Sequence, residues 1–247
     1  MLNFLSSRRF LAIYSGCLTV VFAVTVLAGF STPSRNASFD QITVHRVNVV
    51  EPDGTPRLIL SNKASFPGAY IHGKDVPRSD RDSAGMIFIN DEGTENGGLI
   101  FGGLKDLHNV EHSYGHLSFD RYDQDQVMNI EQNQDGEDRT SGISINDTGD
   151  YPITAEMVAE ASRFKSMPHG AARAAAFKQL QEKYPPYTNR AYFGRVQDKS
   201  IGLTLRDEKG RERLRMIVRP DGMPAIELLD ANGKVVNKLM AEPEKVR

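Results

Sequence analysis

From Ile42 onward, apolar and polar residues alternate with a period of two in short runs, and most runs end at an acid- or Asn-containing Gly turn. The stretches VEPDGTPRLIL (Val50 to Leu60), RDEKGRERLRM (Arg206 to Met216) and LDANGKVVNKL (Leu229 to Leu239) repeat one unit. Each has an acid or Pro, a Gly, a polar residue and then an apolar run. Asp53-Gly54, Asp221-Gly222 and Asn232-Gly233 are dipeptides that tight hairpins favour, because such turns need positive φ. Within the C-terminal part, Leu214, Met216 and Val218 alternate with Arg213, Arg215 and Arg219. Ile201, Leu203 and Leu205 alternate in the same way, as do Leu117 with Phe119 and Ile143 with Ile145. The pattern predicts strands with one buried and one wet face. Met86 to Ile89 is apolar on both faces and is placed centrally.

One segment breaks the period. Ile153 to Tyr184 is Ala-rich and has helical spacing. Ala155 to Ser166 predicts one helix with Thr154 as its N-cap, and Ala171 to Lys183 a second with Ala174, Phe177, Leu180 and Tyr184 on one face. Pro185-Pro186 stops it. The pair reads as a helical hairpin inserted between two β regions, serving as a connector, a lid or an interaction arm.

The N-terminal run is different again. Phe10 to Phe30 carries no charge over about 21 residues, which matches a hydrocarbon core of roughly 30 Å. Arg8 and Arg9 precede it, so the positive-inside rule puts the N-terminus in the cytoplasm and residues 31–247 outside, in the periplasm or beyond the cell. A cleaved signal peptide would cut near Val26-Leu27-Ala28 but needs a shorter apolar core. A lipoprotein would use Cys17, yet the apolar run continues well past it. SRRFLA is only a loose twin-arginine match. An uncleaved anchor is the favoured reading.

The expected organisation is a cytoplasmic N-terminus (1–9), a transmembrane anchor (10–30), a linker (31–41), a β-rich region (42–152), the helical insert (153–186) and a C-terminal β-meander (187–247). The fold class is mainly β, built of repeated antiparallel hairpins as a sandwich, a barrel or a solenoid-like stack. Short units leave exposed edges, a hazard that self-association would remove.

Composition changes this picture little. The chain has 247 residues, 39% of them hydrophobic and 25% charged, as ordinary globular proteins do. A net charge of −2 gives no reason to expect nucleic acid as a partner. The single Cys allows no intrachain disulfide. Charge is uneven, with ten acids against two basic residues from Glu111 to Asp150 and thirteen basic residues against nine acids from Tyr187 to Arg247. Two solvated faces, or attraction between domains or copies, would account for it.

Three stretches invite a chemical reading. DEGTENGGLIFGG (Asp91 to Gly103) has five glycines, but Leu104 stands where a phosphate-binding loop needs Lys. It reads as turns at Asn96-Gly97 and Gly102-Gly103 around a short strand, Leu99 to Phe101, with glycines that also let a neighbouring backbone approach. In LHNVEHSYGHLSF, His108, His112 and His116 are spaced by four. On a helix they would share a face with Glu111 as metal ligands, but Ser113 to Gly115 are poor helix formers, and the segment reads as a loop. In FDRYDQDQVMNIE, Asp120, Asp123 and Asp125 offer clustered oxygens of the kind calcium prefers, although Asp125 stands where an EF-hand needs Gly. These six residues are the candidate ligands for calcium or zinc; no catalytic residue is identified. His72 and Lys74, near Tyr70, lie in an irregular stretch, Phe66 to Ser83, that is long for a loop.

Together, VNVVEPDGTPRLILSN, NDEGTENGGLIFGG and LSFDRYDQDQ make residues 42–147 resemble a group of bacterial membrane-anchored proteins with no known function. The resemblance implies a bacterial cell envelope and no activity. The resulting expectation is a single-pass envelope protein with a non-enzymatic structural or interaction role, partnered by the membrane, by copies of itself or by another envelope protein. The alternative is a metal- or ligand-dependent envelope enzyme using the His108–His116 loop and the nearby aspartates.

Overall fold

The computed structural model describes residues 8–29, 36–79 and 81–240. The chain forms two units, divided after Thr43. The first contains helix α1 (Arg8–Gly29), 22 residues whose length and apolar composition suffice to cross a membrane. The expected linker falls partly outside the described residues; its part from Asn36 to Gln41 has no regular structure.

The second unit is one antiparallel sheet of twelve strands with its helical and hairpin additions. Its first half contains β1 (Arg46–Val50), β2 (Pro56–Ser61), β5 (Ala84–Ile89), β6 (Glu95–Lys105), β7 (Glu111–Asp120), β8 (Gln126–Asp135) and β9 (Asp138–Asp147). Its second half contains β10 (Thr188–Arg195), β11 (Ile201–Arg206), β12 (Glu212–Val218), β13 (Pro224–Leu229) and β14 (Val235–Met240). Every strand pairs with the next of these in the chain, so the sheet is an open meander with β1 and β14 as its edges. The hairpins are joined edge to edge in one open sheet, and among the described residues they form neither a closed barrel nor a two-sheet sandwich. A small separate hairpin, β3 (Ala69–Ile71) and β4 (Lys74–Val76), lies in the stretch taken as an irregular loop, and His72-Gly73 is its turn, both with positive φ.

The repeat has a structural basis. Eight turns share one hydrogen-bond pattern, in which the first N–H donates to the carbonyl four residues on and the fourth N–H donates back to the first carbonyl. Glu51–Thr55, Asn90–Thr94, Arg219–Met223 and Asp230–Lys234 are examples. The fourth residue is Gly54, Gly93, Gly222 or Gly233 in these four, each with positive φ, whereas Asp53, Asp221 and Asn232 are not left-handed. These are three-residue loops closed by a glycine bulge. Asp and Asn side chains lock them, as Asp53 Oδ1 does by accepting from the Thr55 N–H at 2.9 Å.

The insert between β9 and β10 is helical as expected. Helix α2 (Ala155–Lys165) is capped by Thr154, whose hydroxyl accepts from the Met157 N–H at 3.2 Å. Helix α3 (Ala171–Lys183) packs on it through Phe164 and Phe177, ring centroids 5.2 Å apart.

Two segments differ from expectation. DEGTENGGLIFGG turns only at Asn90–Thr94, and Glu95–Lys105 is one eleven-residue strand. Its glycines are inside the sheet because neighbours lie over them. A Cβ on Gly97 would fall 2.2 Å from the Ser118 carbonyl oxygen, and one on Gly102 would fall 2.7 Å from the Tyr114 ring. The close backbone approach was expected; the two extra turns are not there. His112 and His116 also lie in a strand, β7, rather than a loop. Pairing with β6 and β8 along its length overrides the weak propensity of Ser113 and Gly115.

The sheet has two unlike faces. On one, hairpin β3–β4, its flanking loop and α2 cover the N-terminal half. Ile59, Ile87, Ile89 and Tyr70 form one buried cluster there, and Ala69, Ile71 and Val158 a second. From β8 onward the same face is polar, with Asn129, Ser144, Asn146 and Glu227 buried among other polar side chains.

The other face is apolar and uncovered. Its central row runs Val47, Leu60, Met86, Leu99, Leu117 and Ile130, each opposite the next. It continues Ile143, Phe193, Leu203, Met216, Ile226 and Leu239. One apolar residue per strand crosses all twelve strands. The parallel row two residues away runs from Val49 through Leu58, Phe88, Gly97, Phe119 and Met128 to Ile145, and on through Leu205, Leu214 and Leu228. Leu214, Met216 and Val218 were expected to be buried against their wet arginine face. Instead Met216 is 44% and Val218 50% exposed, because no second layer lies on this side among the described residues of this unit.

Candidate functional site

Two features stand out. One is a polar cavity of about 190 Å³ beneath the loop that carries Arg81, bounded by Phe66, Arg81, Ser83, Glu95, His116 and Asp120. Strand β7 delivers His116, Ser118 and Asp120 from one sheet face at even spacing, and the register shift that sets Ile89 opposite Glu95 turns Glu95 of β6 to the same side. Arg81 holds both oxygens of Glu95, at 2.6 Å to Oε1, and its guanidinium stacks over Phe66 at 5.7 Å. Ser83 and Tyr114 share a hydroxyl hydrogen bond of 2.6 Å. Asp120 Oδ1 and His116 Nε2 are buried without a hydrogen-bond partner. Burial, then the carboxylates of Asp125 and Glu95, push the Asp120 carboxyl up to about 8 against the pull of Arg81 and Arg78. At neutral pH this carboxyl therefore holds its proton.

The six residues picked out as metal ligands divide. Asp120, Asp123 and Asp125 all line a second small cavity of about 60 Å³, with Tyr70, Thr94 and Val158. Asp123 adopts a positive φ in the β7–β8 turn, which aims Oδ2 to 3.6 Å from His72 Nε2. The histidines do not converge. His108 lies in the β6–β7 turn, and His112 and His116 are four residues apart on an extended strand, about 13 Å. His112 instead sits between Asp135, at 3.1 Å, and Asp106, at 3.5 Å. Among the described residues, no three His, Cys, Asp or Glu side chains are grouped so as to hold a metal ion. Arg81 and Glu95 belong to the cavity but carry no sequence signal, because the loop that brings Arg81 over β6 is defined only by tertiary packing.

The second feature is the apolar face. Over β10–β14 it forms a shallow groove with Phe193, Leu203, Met216, Ile226 and Leu239 along it, and a second groove over β6–β11 with Leu117, Ile130 and Ile143. Phe193 is 56% exposed and Leu239 68%. By contrast, only nine hydrophobic residues are buried in the described chain, among them Ile59, Ile87 and Val158. A unit of this length normally hides far more apolar surface, so its largest apolar surface faces outward.

No protein-family model matches this chain, and no curated protein matches it either.

Proposed function

We propose that the protein is a single-pass membrane protein of a bacterial cell envelope whose β domain works by binding protein rather than by catalysis. The apolar row across all twelve strands carries this reading. A face of this size, without charge in its two central rows, is a binding surface rather than a solvated one. Helix α1 supplies the anchor, and Arg8 and Arg9 before it favour a cytoplasmic N-terminus with the β domain outside.

The test is a photo-reactive phenylalanine analogue at position 193 of the full chain in intact cells, compared with the same group at Thr204 on the opposite face. Protein adducts from 193 and not from 204 support the reading. Equal or no labelling at both sites rejects it.

A further inference from the structure

Resting on that reading, we infer that the partner of the apolar face is the same face of another copy of this chain. A protein of this length with 39% hydrophobic residues has a buried core of nine apolar side chains among the described residues. Outside it, one apolar residue from each of the twelve strands is gathered in a single row on one side of the sheet. A sheet of a single layer becomes a normal β architecture when a second sheet lies about 10 Å away on its apolar side. The layer missing from the described residues of this unit is one that another copy possesses.

Size supports the match. Twelve strands about 4.8 Å apart, with two central rows about 7 Å apart, present a strip on the order of 50 Å by 13 Å, or roughly 700 Å² in projection. Stable protein–protein interfaces hide about 800 Å² on each partner, a value this strip reaches once its flanking residues are included. Chemistry supports it too. The two central rows hold no charged residue, so a partner must offer an equally long uncharged surface. Periodicity narrows the choice further. Apolar side chains recur at every strand along the whole strip, without a dominant anchor residue or a deep pocket. A surface that repeats at the strand spacing is best filled by another sheet with the same spacing and the same handed twist. If α1 anchors the copies in one membrane, it also concentrates them and lowers the cost of association.

Edge pairing is the competing way for copies to meet, because β1 and β14 both end the sheet with free backbone groups. The two central rows distinguish it, since an edge contact would leave Phe193 and Met216 exposed.

The full-length chain in mild detergent is the material to test, by native mass spectrometry and by crosslinking in the membrane. The wild type should carry two or more copies. Phe193→Asp combined with Met216→Asp should reduce it to one copy, with the far-UV circular dichroism of a β-sheet retained, since both side chains are already half-exposed. The photo-reactive group at 193 should yield chain-to-chain adducts at least ten-fold more abundant than the group at Thr204. A wild type with one copy and no chain-to-chain adduct overturns the inference, as does an oligomer that survives the double substitution. Adducts from 193 exclusively to a different protein overturn it while leaving the binding function standing. Absence of any adduct at 193 overturns both.

Discussion

Ile143 on β9 lies directly opposite Phe193 on β10, although the whole helical insert separates them in the chain. The apolar row passes from the first half of the sheet to the second at this pair without a break. The insert therefore interrupts the sequence and not the surface. Both side chains are exposed, at 36% and 56%, while Ile87 on the covered face is 1% exposed.

This contrast yields the first prediction. Ile87→Ala should cost about 2–5 kcal/mol of stability whatever the protein concentration, because it empties the core under the β3–β4 hairpin. Ile143→Ala should cost little at nanomolar chain concentration and progressively more as concentration rises. Chemical denaturation over a thousand-fold range of concentration checks this; parallel behaviour of the two variants would contradict it.

Gly97 sits between Phe88 and Phe119, whose rings stack above it with centroids 6.2 Å apart. Its φ of +124° and the Ser118 carbonyl beside it leave no room for a side chain. Gly97→Ala should lower stability by about 2–3 kcal/mol, read as a reduced denaturation midpoint. Gly54→Ala, where nothing lies within 4 Å, should cost less, through its positive φ alone.

Asp120 makes stability fall as pH rises. Its carboxyl is raised from 3.8 to about 8 on folding, so the folded state binds more protons than the unfolded state between those values. The contribution is fully present below about pH 4 and is lost as pH climbs through 8. Asp120→Asn should flatten this dependence and raise the melting temperature at pH 9, by about 2–4 °C for each kcal/mol relieved. Thermal melts of both proteins at pH 5, 7 and 9 decide it, and an unchanged pH profile would refute the assignment.

Glu227 works in the opposite direction. Its side chain is 5% exposed on the polar face, with Lys238 at 3.0 Å, Arg219 at 2.9 Å and Arg215 at 3.5 Å. Burial alone would raise its carboxyl, but the Lys238 hydrogen bond and the charges of Arg215, Lys238 and Arg219 hold it below 4.5. Its contribution is present above pH 4.5 and lost as pH falls through the lowered value. Glu227→Gln should cost about 1–2 kcal/mol at pH 7, because the cations are about a third exposed, and progressively less as pH falls below 4.5.

Features carried by neighbours in sequence were readable without the fold. Thr154 caps α2, and Pro185-Pro186 follow the end of α3, as their side-chain chemistry dictates. The Asp-Gly and Asn-Gly turns close hairpins because only glycine takes the required φ without strain. Local reasoning failed where a residue's role depends on a strand far away. Asn96-Gly97 has the composition of a turn, yet its glycine is used to admit Ser118 from β7. His112 and His116 share a spacing that suits a helix, and strand pairing spreads them apart instead. Asp120, Asp123 and Asp125 were legible as neighbours in one turn and line one cavity, but Arg81 and Glu95 beside Asp120 were not, since a loop folded over the sheet brings Arg81 there and a register shift in β6 turns Glu95 toward it.

The sequence by itself determined the hairpin repeat, the helical insert and an N-terminal helix apolar enough for a membrane, because each is a short-range consequence of period, capping and turn chemistry. Tertiary structure alone decided that the hairpins stack as one open sheet and that their apolar positions align into a row from Val47 to Leu239. Period-two alternation says which side of its own strand a residue occupies. Only pairing register says whether twelve such sides are the same face, and only packing says that nothing described within the second unit covers it.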